Sequence, residues 1–149
     1  MQVRIKRIDT TLPLPIYKTA GSVGFDLVTR ETTVVQPGEI ARIPSNVVVQ
    51  TPPGYMLLVT MRSSTPIKKP GLIKPHAVGV VDQDYCGPED EIRFQVQNVS
   101  QVPVTVERGE QIGQGIFVRV ERAEFEELTA LEGASRGGFG STDNKQIQQ

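Results

Sequence analysis

The chain has 149 residues, the length of one ordinary domain, and 16 Lys and Arg against 17 Asp and Glu leave a net charge of -1, so no overall basic field recruits nucleic acid or an anionic membrane. A single cysteine, Cys86, excludes an internal disulfide framework and a zinc ribbon, and no stretch approaches the roughly 18 apolar residues of a membrane span. The opening Met1-Gln2-Val3-Arg4-Ile5-Lys6 has no apolar signal-peptide core, so the expectation is a cytoplasmic protein.

Glycine and proline recur every few residues and leave little room for long helices, so strands and turns should dominate. Alternation of apolar and polar residues predicts half-buried strands at Val3-Arg4-Ile5-Lys6, at Tyr55-Met56-Leu57-Leu58-Val59 and at Ile92-Arg93-Phe94-Gln95-Val96-Gln97. Between such runs, Gln36-Pro37-Gly38-Glu39, Pro52-Pro53-Gly54 and Glu107-Arg108-Gly109-Glu110 read as turns. Strand runs at about ten-residue spacing point to an all-β barrel or sandwich. Ser64-Thr65-Pro66-Ile67-Lys68-Lys69 predicts one short helix with Thr65 as its cap and proline in its first turn. Residues 123–131 suit either a helix or a final strand. From Glu132 the apolar residues run out, so residues 1–132 are expected to form the domain and residues 133–149 a mobile tail.

Three polar clusters could carry chemistry. Gly79-Val80-Val81-Asp82-Gln83-Asp84-Tyr85-Cys86-Gly87 sets two carboxylates and a phenol where an apolar strand turns over, although an Asx-turn uses the same residues for local hydrogen bonds alone. Arg62-Ser63-Ser64 places a guanidinium and two hydroxyls at a helix start, which suits phosphate oxygens and equally an ordinary cap. Arg136-Gly137-Gly138-Phe139-Gly140-Ser141-Thr142 combines a cation, an aromatic ring and hydroxyls on an unhindered backbone, as in a flexible linker or a segment that folds over a nucleotide. No phosphate-binding Walker loop or dinucleotide fingerprint is present. The only histidine, His76, cannot make a paired-histidine metal site and is expected to be structural, and Cys86 has no cationic neighbour to activate it.

Taken in order, the segments resemble the five motifs of the trimeric dUTPase family: Ala20-Gly21-Ser22-Val23-Gly24-Phe25-Asp26-Leu27, then Arg62-Ser63-Ser64, then residues 79–87, then Arg108-Gly109-Glu110-Gln111-Ile112-Gly113-Gln114, then residues 136–142. The resemblance implies a jelly-roll-like β-barrel that assembles as a homotrimer with shared active sites. It also implies hydrolysis of dUTP to dUMP and pyrophosphate, which limits uracil in DNA and supplies dUMP for thymidylate synthesis. By the same carry-over Asp82 is the general base, Tyr85 packs under the deoxyribose, and the backbone of the Gly79 and Val81 hairpin reads the uracil. Arg62, Ser63, Ser64 and Gln114 grip the phosphates, Mg2+ rides on the phosphates with Asp26 at its water shell, and Arg136, Phe139, Gly140 and Ser141 close as a lid. Gln111 stands where the family often has Arg, and Arg136 lies closer to Phe139 than in the usual fifth motif. Two rivals share the pattern: a dCTP deaminase-like enzyme, which needs a Glu that this third motif lacks, and a dUTP-sensing regulatory protein, for which a catalytic Asp82 is unnecessary.

Overall fold

Short strands recur from Arg4 to Arg119 in the computed structural model, which describes residues 1–138. In chain order they are β1 (Arg4–Arg7), β2 (Phe25–Leu27), β3 (Thr33–Val35), β4 (Ile40–Pro44), β5 (Val47–Gln50), β6 (Tyr55–Met61), β7 (Leu72–Ile73), β8 (Gly79–Val81), β9 (Arg93–Asn98), β10 (Val104–Val106) and β11 (Gly113–Arg119), with one helical turn, α1 (Thr65–Lys68), after β6. The predicted all-β class is what the chain adopts.

The larger sheet has four strands in the order β2-β11-β6-β8, and a second sheet has three in the order β4-β9-β7; β1 pairs with β5 and β10 with β3. All these pairings are antiparallel. Leu27, Leu57 and Val59 of the larger sheet and Ile43, Leu72, Phe94 and Val96 of the second are buried in one common core. Close packing between the sheets explains an otherwise odd glycine inside β11: a Cβ on Gly113 would stand within the Phe94 ring.

The strand predicted from Ile92 to Gln97 forms as β9, with Phe94 and Val96 inward, and the run from Tyr55 forms as β6. The three predicted turns close by hydrogen bonds from Glu39 N to Gln36 O, Tyr55 N to Pro52 O and Glu110 N to Glu107 O, at 3.0, 3.1 and 3.1 Å. Each has its glycine at positive φ, where a side chain would be strained. The first predicted strand departs from expectation. β1 forms, but it pairs only with β5 at the periphery, and although Val3 just before it packs partly against the core, Ile5 stays 37% exposed.

The predicted helix is present as a single turn, with a corrected start. Ser64, not Thr65, is its N-cap, and the Ser64 side chain makes no capping bond. Thr65 is buried inside the turn and its hydroxyl donates to Ile112 O at 2.7 Å, because the strand leading to α1 lies beside the segment entering β11. Residues 123–131 form neither helix nor strand: their apolar side chains lie outside the core, with Phe125 almost fully exposed.

Candidate active site

β8 is one of the two edge strands of the larger sheet and pairs with β6 through Leu57↔Val81, Leu58↔Val80 and Val59↔Gly79. Beyond Val81 the chain turns, with Tyr85 N donating to Asp82 O at 3.4 Å and Cys86 N to Asp84 O at 3.0 Å. The amide of Gln83 ties this turn back to β6 by donating to Tyr55 O at 3.0 Å. Asp82 is thereby held at the sheet edge with its carboxylate exposed. The Tyr85 hydroxyl donates to Glu91 O at 3.3 Å, which fixes the ring against the start of β9. The turn is closed by backbone carbonyls, with no bond to the Asp82 or Asp84 side chain of the kind an Asx-turn uses.

A cavity of about 490 Å³ opens beside the turn, and Gly79, Val81, Asp82 and Tyr85 all line it. Lys74 and His76 contribute from the loop ahead of β8, and Arg42, Arg93 and Gln95 from the second sheet. Two arginines and a lysine beside one carboxylate make this a cleft suited to an anionic ligand. Lys74, His76, Arg42 and Arg93 were not legible as site residues. His76, expected to be structural, lies 2.7 Å by Nδ1 from Val78 O of its own loop and also stands exposed at the cavity wall. Cys86 sits behind the turn with Sγ 3.6 Å from Gln83 O, a local contact.

Behind the turn lies a buried support that the sequence did not advertise. Glu91 is buried, takes Nε and Nη2 of Arg30 on its two oxygens at 2.9 and 3.0 Å, and accepts Asn46 N at 2.8 Å. These bonds raise the Arg30 guanidinium above its ordinary pKa. The partners lie 61 and 45 residues from Glu91, so no local spacing signals them.

A second cluster gathers at the other end of β6. Arg62 Nε lies 3.1 Å from Asp26 Oδ1, and Arg62 Nη1 donates to Gln111 Oε1 at 3.3 Å. Register puts Gln114 of β11 opposite both Asp26 of β2 and Thr60 of β6. Gly24 leaves the space that the Gln114 side chain uses, since a Cβ there would come within 2.7 Å of Gln114 Oε1. Ser63 and Ser64 follow Arg62 directly at the mouth of α1.

Asp26 is buried, and its Oδ2 has no hydrogen-bond partner. Such an oxygen calls for a donor. The water shell of a hard cation supplies one, and magnesium keeps several of its waters, so Asp26 fits an outer-sphere role. No group of three or more His, Cys, Asp and Glu able to hold a metal directly occurs among the described residues.

The two clusters are not in one cavity. Arg62 lines a separate space of about 190 Å³ with Lys68, Lys69 and Gln111. Val81 is opposite Leu57, so Asp82 lies level with Met56, whereas Arg62, just past the end of β6, is six residues further along; at about 3.3 Å per residue this is roughly 20 Å. Arg136 is exposed in the stretch after β11 and does not line the Asp82 cavity. Phe139, Gly140 and Ser141 lie outside the described residues.

Fold and cleft together define an all-β, jelly-roll-like protein with a cationic ligand cleft at the edge of its larger sheet. The dUTPase family model matches residues 10–143. The deoxyuridine 5'-triphosphate nucleotidohydrolase of Thermobifida fusca is 40% identical over 145 residues, covering 95% of this chain and 79% of that protein. Its counterpart in Zymomonas mobilis is 34% identical over 146 residues, covering 95% and 97%. Among solved structures, the dUTPase of Streptococcus mutans superposes with a TM-score of 0.72 at 32% identity, covering 81% of this chain and 98% of that one. The chain belongs to the dUTPase family.

Proposed function

We propose that the protein hydrolyses dUTP to dUMP and pyrophosphate. The observation that carries this reading is the cavity in which Asp82 and Tyr85 meet, on a chain whose relatives are named for that reaction. Asp82 accepts a proton from a water whose oxygen attacks the α-phosphorus. The bond from that phosphorus to the bridging oxygen breaks, and pyrophosphate carries the electron pair away. Its exposed carboxylate at the sheet edge has room for such a water.

Tyr85 closes the space under the sugar, where its hydrogen bond to Glu91 O stops the ring from yielding to a 2′-hydroxyl. The backbone around Gly79 and Val81 reads the base. Arg62, Ser63, Ser64 and Gln114 neutralise and position the phosphates, since phosphoanhydride hydrolysis depends on positioning and charge stabilisation. Asp26, through its unpartnered Oδ2, would hold the water shell of a Mg2+ ion, which would supply charge neutralisation to the phosphates. A structural Mg(II) ion is described in a mutant dUTPase from phage phi11 of S. aureus, a relative in fold.

The two clusters stand at opposite ends of β6, and a second copy of the chain brings Arg62, Gln114 and Asp26 to the Asp82 cavity. This favours a homotrimer with sites between subunits. Residues 133–149, with Arg136, Phe139, Gly140 and Ser141, act as the lid over that composite site. No helix among the described residues is long and apolar enough to cross a membrane, and we place the enzyme in the cytoplasm.

The test is chromatographic product analysis after incubation with magnesium and, separately, dUTP, UTP, TTP and dCTP. The expected result is dUMP and pyrophosphate from dUTP alone, with Asp82→Asn slower by about a hundredfold or more, as for loss of a general base. Deamination of dCTP, or undiminished turnover by Asp82→Asn, refutes this reading.

A further inference from the structure

Lys74 and His76 enter the Asp82 cavity from the short loop between β7 and β8. The loop is tightly folded: Val78 N donates to His76 O at 2.6 Å, and Ala77 holds φ at 56°, a region that side chains seldom occupy. His76 Nδ1 lies 2.7 Å from Val78 O. A carbonyl only accepts, so Nδ1 carries the hydrogen and Nε2 is left as an acceptor. Lys74 Nζ, a donor only, lies 3.4 Å from that Nε2. The imidazole, with Nδ1 toward Val78 O and Nε2 toward Lys74 Nζ, steadies the lysine side chain at the cavity wall.

The ammonium is directed at the strand floor of the cavity. A Cβ on Gly79 would come within 3.6 Å of Lys74 Nζ and 3.5 Å of the Val59 side chain, so the amine stands over the bare backbone of β8 beside an aliphatic neighbour. Burial lowers the Lys74 amine from its ordinary pKa, as expected of a group drawn out of water. Gly79 precedes Asp82 by three residues, so along a strand Lys74 Nζ stands roughly 10 Å from the reacting end. On the dUTP reading the α-phosphate sits at Asp82 and the base against Gly79 and Val81, so the amine over Gly79 meets the base.

The geometry points to Lys74, steadied by His76, as a residue that selects the base by donating a hydrogen bond to a pyrimidine carbonyl oxygen. The inference rests on the dUTP reading above and adds to it a side chain that distinguishes uracil from cytosine. Uracil presents oxygen at position 4. Cytosine presents there an amino group, itself a donor, which an ammonium repels and leaves unpaired.

The test is equilibrium binding of dUMP and dCMP, which share one phosphate and one sugar, so that phosphate contacts cancel in their affinity ratio. Wild type is expected to prefer dUMP. Lys74→Met is expected to reduce that preference by roughly tenfold to a hundredfold, the worth of a hydrogen bond to a charged group, through weaker dUMP binding. His76→Ala is expected to reduce it by a smaller factor and to add nothing in the double variant; should Lys74→Met fail to fold, His76→Ala carries the test. An unchanged ratio, including a parallel loss of both affinities, overturns the role of Lys74 and leaves the dUTP reading standing. Absence of dUMP binding by wild type overturns that reading and this inference with it.

Discussion

The separation of Asp82 from Arg62 along β6 makes a prediction that can be counted. If each site takes Asp82 from one subunit of a trimer and Arg62 from its neighbour, two single variants, Asp82→Asn and Arg62→Ala, are each inactive but repair one another when mixed. In randomly exchanged trimers from equal amounts, a given site needs Asp82 on one side and Arg62 on the other, each with a probability of one half, so about 25% of sites are whole. Turnover per site should therefore recover to about a quarter of wild type, against a background lower by about a hundredfold for each parent. The assay is pyrophosphate release after co-refolding, with native mass spectrometry to verify mixed trimers. A site built within one chain gives no recovery, because every chain carries one defect. Recovery no greater than the parents' background, with exchange verified, refutes the shared site.

Two further predictions concern stability and the tail. Glu91→Ala leaves the Arg30 guanidinium and the Asn46 N–H without their buried acceptor, and should destabilise by about 3–5 kcal/mol. For a domain of this size that lowers Tm by roughly 6–20 °C in calorimetry, and a shift under about 2 °C would show the pair to be dispensable. Removing residues 133–149 should leave Tm nearly unchanged, since the described stretch 121–138 is exposed throughout and adds nothing to the core, while turnover falls sharply; a large loss of Tm, or full turnover, refutes the lid.

Local chemistry made much of this protein legible in its sequence. Glycine at positive φ, preceded by proline at Gly38 and Gly54 though not at Gly109, sets backbone angles that need no distant partner, so these three turns formed where they were read. The alternation that buries Phe94 and Val96 belongs to β9 itself, and the motif residues of the third cluster are neighbours along the chain. Tertiary structure decided whatever depended on partners. A period of two tells which side of a strand is apolar but not which strand lies beside it, so only the pairing of β11 with β2 and β6 brings Gln114 to Asp26. Ile5 alternates correctly yet stays exposed, because β1 found only β5 as a neighbour. Thr65, with the composition of a cap, spends its hydroxyl on Ile112 O, 47 residues away. Likewise the Arg30–Glu91 pair, the entry of Lys74 and His76 into the cleft, and the distance from Asp82 to Arg62 follow from the order of strands in the sheets, a property of contacts between remote segments that no local pattern encodes.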